Sequence, residues 1–471
     1  MSASFFSRRA KRKPNGYVMV FGTLMIALVL IPVMGLAIDV GLLYTADSVM
    51  SAAADAAAVA GARSLSRGSN SQTQLANAQT TATAYFNANF PSGYLGTTNV
   101  QVSSVAGQSQ TAMRTVTTTV SAQLPLIFLN MLGLKAPTIS ASSTAQRRDV
   151  NVMIVMDRST SLTNSGSCAP LKAAAVGFVN NFAQGRDNVG LITFGTNSRV
   201  DAAPSTAFSP NVANIINSIS CNGATSSAQA LWQAYDQLVQ LNQTGALNAI
   251  LFFTDGFPTA VTEKFPIMAN CNPHGAGAYL TGVLTATYSG STPQNPYGLF
   301  VSSAPAEPVS SSQDLQVLSG AGTSGCKFVS DQTQIAKDAQ YAPTTDVWGN
   351  SLTATAYKST TTSGSGLAIT ATNIQNFSTN AADDAAYRIR SGVADAGQSN
   401  KTLANVVIYT IGLNNTGDID PTLMMRIAND PTLSPNPVAA GAQGRFCNAE
   451  QSSDLNQCFI QVASQMLRIS Q

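Results

Sequence analysis

A long uncharged segment near the N-terminus most restricts what this chain can fold into. Residues 17–38, YVMVFGTLMIALVLIPVMGLAI, contain no charged side chain. About 20 consecutive apolar residues suffice for a helix to cross the hydrocarbon core of a bilayer. Pro32 is compatible with this, because membrane helices tolerate proline. The sequence therefore predicts a transmembrane helix over residues 17–38.

The residues beside this segment indicate its orientation. Residues 1–16 include a basic cluster without any acidic residue, formed by Arg8, Arg9, Lys11, Arg12 and Lys13. Positive flanks stay in the cytoplasm, so residues 1–16 are predicted to be a cytoplasmic tail and the bulk of the chain to be extracytoplasmic. There are two alternatives. A cleaved signal peptide is disfavoured because GLAIDVGLLY offers no convincing small-residue cleavage site, and a prepilin signal is disfavoured because no acidic residue follows Gly16 within residues 17–21. We expect an uncleaved, single-pass anchor.

The cysteines agree with an extracytoplasmic location. All six follow the predicted span, at Cys168, Cys221, Cys271, Cys326, Cys447 and Cys458. An even number of cysteines in an oxidising compartment indicates disulfides, although sequence alone does not give their pairing. Spacing favours Cys447–Cys458 first, followed by Cys271–Cys326 and Cys168–Cys221. A metal cluster is disfavoured because there is no CxxC pair and the single histidine, His274, is isolated.

The region after the span divides by composition. Residues 39–90 are rich in alanine and are predicted to form a helical stalk that continues out of the bilayer. Its small side chains could also serve as an assembly surface. Asp39, at the membrane edge, is interpreted as an interfacial residue. Residues 91–147 alternate apolar and polar side chains, which predicts a small β-rich module within an α/β unit.

This N-terminal third resembles the TadE/TadG-like family of the tight-adherence (Tad, or Flp) pilus machinery. The resemblance lies in the basic N-terminus, the span ending in GLAIDVGLLY, the SAAADAAAVAGA helix, and LPLIFLNMLGL followed by ISASSTAQ. It covers roughly residues 10 to 147. It implies a component of pilus assembly in the bacterial cytoplasmic (inner) membrane, with other pilus assembly proteins as partners.

From residue 148 to 471 strands and helices alternate. The apolar strands include VNVMIVM, NVGLITFG, NAILFFT and ANVVIYTIGL, with helical segments between them. This order predicts an α/β domain with a parallel sheet covered by helices on both faces. The alternation fails between about residues 258 and 378, a stretch too long for an ordinary loop. We interpret that stretch as an insertion, partly structured.

Polar residues lie at the ends of three of the predicted elements in a pattern typical of a cation site. Asp157, Ser159 and Ser161 end the first strand of the domain, Thr225 precedes a helix, and Asp255 ends another strand. Ligands of open parallel sheets bind at the carboxyl ends of the strands. Carboxylate and hydroxyl oxygens suit Mg²⁺ first, with Mn²⁺ or Ca²⁺ as alternatives, and not Zn²⁺.

The same pattern resembles the von Willebrand factor A (vWA) domain with its metal-ion-dependent adhesion site, whose motif is DxSxS, a distant Thr and a distant Asp. The resemblance implies a doubly wound, Rossmann-like fold. It also implies that Ser159 and Ser161 coordinate a divalent cation directly, and that Asp157, Thr225 and Asp255 do so directly or through water. A partner's Asp or Glu carboxylate would complete the coordination.

These features favour a non-enzymatic protein that binds a protein partner during pilus assembly. The alternative is a surface-displayed adhesin that uses the same site to grip a host or substratum ligand, which release from cells or cleavage near residue 39 would favour. An enzyme is disfavoured because the sequence offers neither a nucleophile–base pair nor a Gly-rich phosphate loop. Nucleic acid is disfavoured because no basic patch with interleaved aromatics occurs; the net charge of +2 by itself indicates almost nothing about partners.

Overall fold

The chain forms two compact units. The computed structural model describes residues 16–68, 70–110, 112–131, 133, 135–266, 279–289, 292–300, 341–353, 357–392, 402–433 and 441–469. The N-terminal unit comprises the described residues of Met1–Leu65, Leu75–Gly107 and Thr115–Gln146. The C-terminal unit comprises those of Ser66–Gln74, Gln108–Arg114 and Arg147–Gln471.

The N-terminal unit begins with one long helix, α1, over Gly16–Ser64. A π-helical stretch at Ile26–Leu30 interrupts its hydrogen-bonding pattern. The helix is long and apolar enough to cross a membrane, and its first half exposes its large apolar side chains. These features are those predicted for the anchor.

The second half of α1 is packed, not solvated. A second helix, α2, spans Ser71–Asn89, and its Phe86 lies in one apolar cluster with Ala46, Met50 and Ala54 of α1. Close approach requires small residues on α1: a Cβ at Gly61 would lie 2.8 Å from Cγ1 of Val116. The small side chains of residues 39–90 thus permit the close approach of another helix, here α2 of the same chain.

A three-stranded sheet completes the N-terminal unit. Its strands are β1 Thr98–Gln110, β2 Met113–Gln123 and β3 Thr138–Arg148, in the order β1-β2-β3. Along β2, Val116, Thr118, Val120 and Ala122 are buried, and the residues between them are more exposed. This alternation is expected of a strand with one face against a core. The strands lie in the region predicted to be β-rich.

Asp39 holds a short helix, α3, over Ile127–Met131. Its carboxylate is fully buried and accepts hydrogen bonds from the backbone N–H groups of Ile127 (3.0 Å), Phe128 (2.9 Å) and Leu129 (2.8 Å). These are donors that the first turn of a helix leaves without partners. Gly35, one turn earlier on α1, leaves room for the Phe128 ring. Asp39 thus caps α3.

The C-terminal unit contains the remaining elements. Its strands are β4 Val150–Asp157, β5 Asn188–Phe194, β6 Ser198–Ser205, β7 Leu247–Thr254, β8 Ala260–Pro266, β9 Tyr279–Ser289, β10 Thr292–Phe300, β11 Thr362–Ser363, β12 Gly366–Leu367, β13 Val407–Leu413 and β14 Phe446–Ala449. Its helices are α4 Thr160–Asn164, α5 Cys168–Val179, α6 Asn211–Ser218, α7 Ser227–Leu241, α8 Ala371–Arg390, α9 Pro421–Ala428 and α10 Leu455–Ile469.

A six-stranded sheet forms the centre of this unit, in the order β14-β13-β7-β4-β5-β6. Neighbouring strands are parallel except for β6, which is antiparallel to β5. Side chains of β4 point alternately into two cores: Met153 and Val155 pack with α7 and α8, and Val152 and Ile154 pack with α5 and α10. The predicted α/β fold class, with helices on both faces, is confirmed.

The interpreted insertion contains a second sheet, formed by antiparallel β8, β9 and β10 in the order β10-β9-β8. Helix α8 begins at Ala371, where the Thr370 side chain accepts from Asn373 N at 3.2 Å. The predicted end of the insertion at residue 378 therefore falls inside α8. Cys271 and Cys326 lie outside the described residues, so the structure does not test their pairing.

Candidate metal centre

The backbone brings the two predicted carboxylates to one edge of the sheet. Asp157 is the last residue of β4, and Asp255 directly follows β7. The two strands are parallel neighbours, with Met156 opposite Phe253. The carboxyl ends of adjacent parallel strands lie together. The strand order reverses between β4 and β7, because β5 lies on one side of β4 and β7 on the other. This is the place at which a doubly wound sheet binds its ligand.

Four of the five predicted ligands form one hydrogen-bonded network. Ser159 N donates to Asp157 Oδ1 at 2.7 Å, and the hydroxyls of Ser159 and Ser161 lie 2.8 Å apart. The Ser161 hydroxyl donates to Asp255 Oδ1 at 2.6 Å. Ser159 occupies the N-cap position of α4 with an extended backbone, which turns the chain back towards the sheet. The DxSxS spacing thus places three side chains around one point.

Thr225 lines the same cleft from the loop before α7. Its backbone is fixed on one side by Thr259, because Thr225 N donates to Thr259 Oγ1 at 2.9 Å and Thr259 N donates to Thr225 O at 3.0 Å. On the other side, Thr160 N donates to Gly223 O, and Gly223 N donates to Thr160 Oγ1, both at 3.0 Å. These bonds hold the Thr225 loop against the DxSxS turn.

A disulfide anchors the same loop. Cys168, the first residue of α5, is bonded to Cys221, four residues before Thr225. The Thr163 hydroxyl adds a hydrogen bond to Cys221 O at 2.6 Å. A second disulfide joins Cys447 to Cys458, between β14 and α10. The first of these bridges therefore restrains a loop of the candidate site, whereas the second lies between two elements elsewhere in the unit.

Burial dominates the electrostatics of the two aspartates. Asp157 and Asp255 are both completely buried. Desolvation raises the pKa of both, and the nearby Asp157 carboxylate raises the pKa of Asp255 further. Within the described part of the chain, Asp255 Oδ2 has no hydrogen-bond partner. Two buried carboxylates and neighbouring hydroxyls are the kind of oxygen ligands that a hard divalent cation prefers, and Asp255 Oδ2 is in a position to coordinate one.

Thr254 is a member of the site that the motif did not reveal. Its hydroxyl donates to Asp157 Oδ2 at 2.6 Å, so both oxygens of that carboxylate are held. The signal in the sequence is the hydroxyl residue directly before Asp255, in FFTDG. Only the parallel pairing of β4 and β7 shows that this residue lies opposite Asp157.

The insertion sheet supplies a wall of the cleft above these residues. The cleft has a volume of about 590 Å³ and is lined by Ser159, Ser161 and Thr225 on one side. Thr287 and Tyr288 of β9, with further residues of β9 and β10, line the other side. Within the described residues, the Tyr288 hydroxyl is buried without a hydrogen-bond partner.

Family comparisons agree with this geometry. Residues 152–257 match the von Willebrand factor type A domain, a range that contains all five predicted ligands. Residues 16–64 match the Flp pilus-assembly TadE/G-like family. No curated protein gives a significant match to the chain.

Solved structures resemble the chain only distantly. The PilB minor pilin from Streptococcus sanguinis is 13% identical, with 79% of each chain covered and a TM-score of 0.38. The vWF domain of the type V pili tip protein Mfa5 from Porphyromonas gingivalis is 14% identical over 69% of this chain and 97% of that one, with a TM-score of 0.37. Similarities at this level carry no argument about function. The two family matches show that this chain combines a TadE/G-like N-terminal region with a von Willebrand factor type A domain.

Proposed function

We propose that this protein is a non-enzymatic, membrane-anchored component of Tad/Flp pilus assembly. Its extracytoplasmic C-terminal unit binds a protein partner through a divalent cation held by Asp157, Ser159, Ser161, Thr225 and Asp255. The observation that carries the proposal is the convergence of two buried carboxylates and two hydroxyls, with Asp255 Oδ2 left without a partner among the described residues. A buried carboxylate without compensation is costly, so a bound cation would relieve this arrangement.

The proposed ligands and the residues that orient them have different roles in cation binding. Asp157 and Asp255 together provide two negative charges, which balance one divalent cation, while the hydroxyls add neutral oxygens. Thr254 and Ser159 N orient Asp157 by holding both of its oxygens. Ser161 orients Asp255. When bound, a cation such as Mg²⁺ supplies an electrophilic position that a partner's Asp or Glu carboxylate can occupy.

The insertion is proposed to select the partner. Its strands β9 and β10 line the cleft opposite the DxSxS turn, so the width of the approach depends on them. Thr285 on β9 bonds to the backbone of Tyr297 on β10, which ties the two strands of this wall together. The partner segment therefore needs to be narrow and to present its carboxylate at its tip.

Thermal melting of the full-length chain in detergent tests the metal site. With Mg²⁺ or Mn²⁺ at about 100 times its dissociation constant, we expect stabilisation of about 2.7 kcal/mol relative to EDTA, because the cation binds only the folded state. Asp157→Ala should abolish this increase. Asp55→Ala, which removes an exposed carboxylate from α1, should retain it.

Two outcomes would contradict the proposal. One is a wild-type chain whose melting temperature is the same with cation and with EDTA. The other is an Asp157→Ala chain that keeps the full cation-dependent increase. If the increase follows the expected pattern, the same pair of chains, with and without cation, serves to capture carboxylate-bearing pilus proteins.

A further inference from the structure

A second buried carboxylate lies away from the site described above. Glu263, on β8, is 0% exposed and stands between Val261 and Phe265, which belong to the apolar core beneath the insertion sheet. Within the described residues, neither of its carboxylate oxygens has a hydrogen-bond partner. An ionised carboxylate in such a place is strongly unfavourable unless a positive charge accompanies it.

The loop beside β8 brings a second carboxylate to Glu263. Val347 N donates to Thr262 O at 3.2 Å, which fixes the loop next to Glu263. Asp346 is buried, and its Oδ1 accepts from Trp348 N at 3.0 Å and from Asn350 N at 2.8 Å. Because Val347 follows Asp346, the same backbone bond places Asp346 beside β8. Burial raises the pKa of Glu263, and the charge of Asp346 raises it further.

The charges around this loop do not balance. Asp384, on α8, accepts from Ser351 N at 2.9 Å, so a third carboxylate lies at the end of the loop. Arg388 donates to Trp348 O and to Asn350 Oδ1, both at 2.9 Å. Lys264, next to Glu263 in the chain, lines the same cavity as Asp346. When these five groups are ionised, three negative charges face two positive charges, and the excess of negative charge favours a cation.

We propose that Glu263 and Asp346 are ligands of a second, structural cation site, independent of the one at Asp157. The ligand is an oxygen-coordinated divalent cation, with Ca²⁺ preferred, because Ca²⁺ accepts carboxylates together with backbone carbonyls in flexible geometry. Filling the site joins β8 to the loop at Asp346 and thereby to α8. The consequence is a rigid insertion sheet, whose strands β9 and β10 form the wall of the cleft.

The two tryptophans of the chain make this site observable. Trp232 Nε1 donates to Asn350 Oδ1 at 2.8 Å, and Trp348 follows Asp346 by two residues. Tryptophan excitation should therefore sensitise Tb³⁺ bound at Glu263 and Asp346. The experiment uses full-length Asp157→Ala protein in detergent, in which the first site is disabled. We expect sensitised emission that saturates at one Tb³⁺ per chain, is displaced by Ca²⁺, and accompanies a Ca²⁺-dependent rise in melting temperature.

Substitutions of Glu263 and Asp346 test whether these residues are ligands of the second site. In the Asp157→Ala background, Glu263→Gln should reduce Tb³⁺ affinity at least tenfold and remove the Ca²⁺ effect on melting. Glu450→Gln, the same change at an exposed position, should alter neither. Asp346→Asn provides a second test if Glu263→Gln does not fold. The proposal is overturned if the parent chain binds no Tb³⁺, or if Glu263→Gln keeps the emission. It is also overturned if Glu263→Gln only raises the melting temperature in EDTA while the parent ignores Ca²⁺, since Glu263 would then be a buried protonated acid.

Discussion

Both carboxylate oxygens of Asp157 accept hydrogen bonds, and these bonds fix the orientation of the carboxylate. Ser159 N bonds one oxygen and the Thr254 hydroxyl bonds the other. Partners that orient a metal ligand without touching the metal typically contribute 10- to 100-fold in affinity. Thr254 is therefore the residue whose loss should weaken the proposed metal site without removing any of its ligands.

We predict that Thr254→Val weakens Mg²⁺ binding about tenfold, because valine has a similar shape but cannot donate to Asp157. Thr254→Ser keeps the hydroxyl and should bind almost as the wild type does. Isothermal titration of the three full-length chains measures the effect. Equal affinities in the valine and serine variants would show that the hydrogen bond to Asp157 does not matter for binding.

The stability of the metal-free protein should depend on pH through Asp157 and Asp255. Burial raises the pKa of both side chains, so the folded state binds their protons more tightly than the unfolded chain does. Their contribution to stability is complete below the ordinary carboxyl pKa of about 4 and is lost as pH rises through the raised values. Protons also compete with a cation, so metal binding should strengthen as pH rises.

Melting curves in EDTA between about pH 4 and pH 8 measure this dependence. We expect Asp255→Asn to lose less stability over this range than the wild type, because asparagine does not titrate. With Mg²⁺ present, the wild type should recover stability at the upper end of the range and the variant should not. Identical pH profiles for the two chains in EDTA would contradict the assignment.

At the scale of elements, α3 depends on a residue nearly 90 positions earlier in the chain. Asp39 satisfies three backbone N–H groups at the start of this five-residue helix. Such a short helix has little stability of its own, because nucleation is costly. Its formation is therefore a consequence of the contact with α1 and not of its own sequence.

We predict that Asp39→Ala destabilises the N-terminal unit by about 1–2 kcal/mol, the usual cost of losing an N-cap. Hydrogen exchange at the amides of Ile127, Phe128 and Leu129 should accelerate, since these groups lose their acceptor. Asp47→Ala removes an exposed carboxylate from the same helix and is the matched control. Unchanged protection of the three amides would show that the cap is not needed.

At the scale of the whole molecule, the proposed anchor predicts that the protein is attached to the membrane with its C-terminal unit outside the cytoplasm. In bacterial cells the full-length chain should remain in the membrane fraction after alkaline washing, because α1 is long and apolar enough to span a bilayer. Protease added outside the cytoplasmic membrane should degrade the C-terminal unit. A chain lacking residues 17–38 should leave the membrane fraction. Protection of the C-terminal unit from protease would reverse the proposed orientation, and release after cleavage near residue 39 would favour a displayed adhesin.

The sequence by itself determined the features that depend on local pattern. An uncharged run identified the apolar helix, alternating apolar strands and helices predicted the α/β domain, and the ends of β4 and β7 marked the candidate ligands. The predictions of the apolar helix and of the α/β domain succeed because hydrophobic periodicity is a property of neighbouring residues. That the marked residues are metal ligands stays a prediction. In the same way, spacing alone favoured Cys447–Cys458, which the structure contains.

Only the tertiary structure decided the features that join distant segments. The packing of Ala46 and Ala54 against Phe86, the cap formed by Asp39 on α3, and the bond from Thr254 to Asp157 each link residues whose partners no local pattern indicates. Burial is also decided by the tertiary structure. The sequence around Glu263 indicates an ordinary surface acid, and only the packing of β8 against the core shows that this side chain is buried. The physical reason is that long-range packing determines both which side chains are buried and which residues they contact.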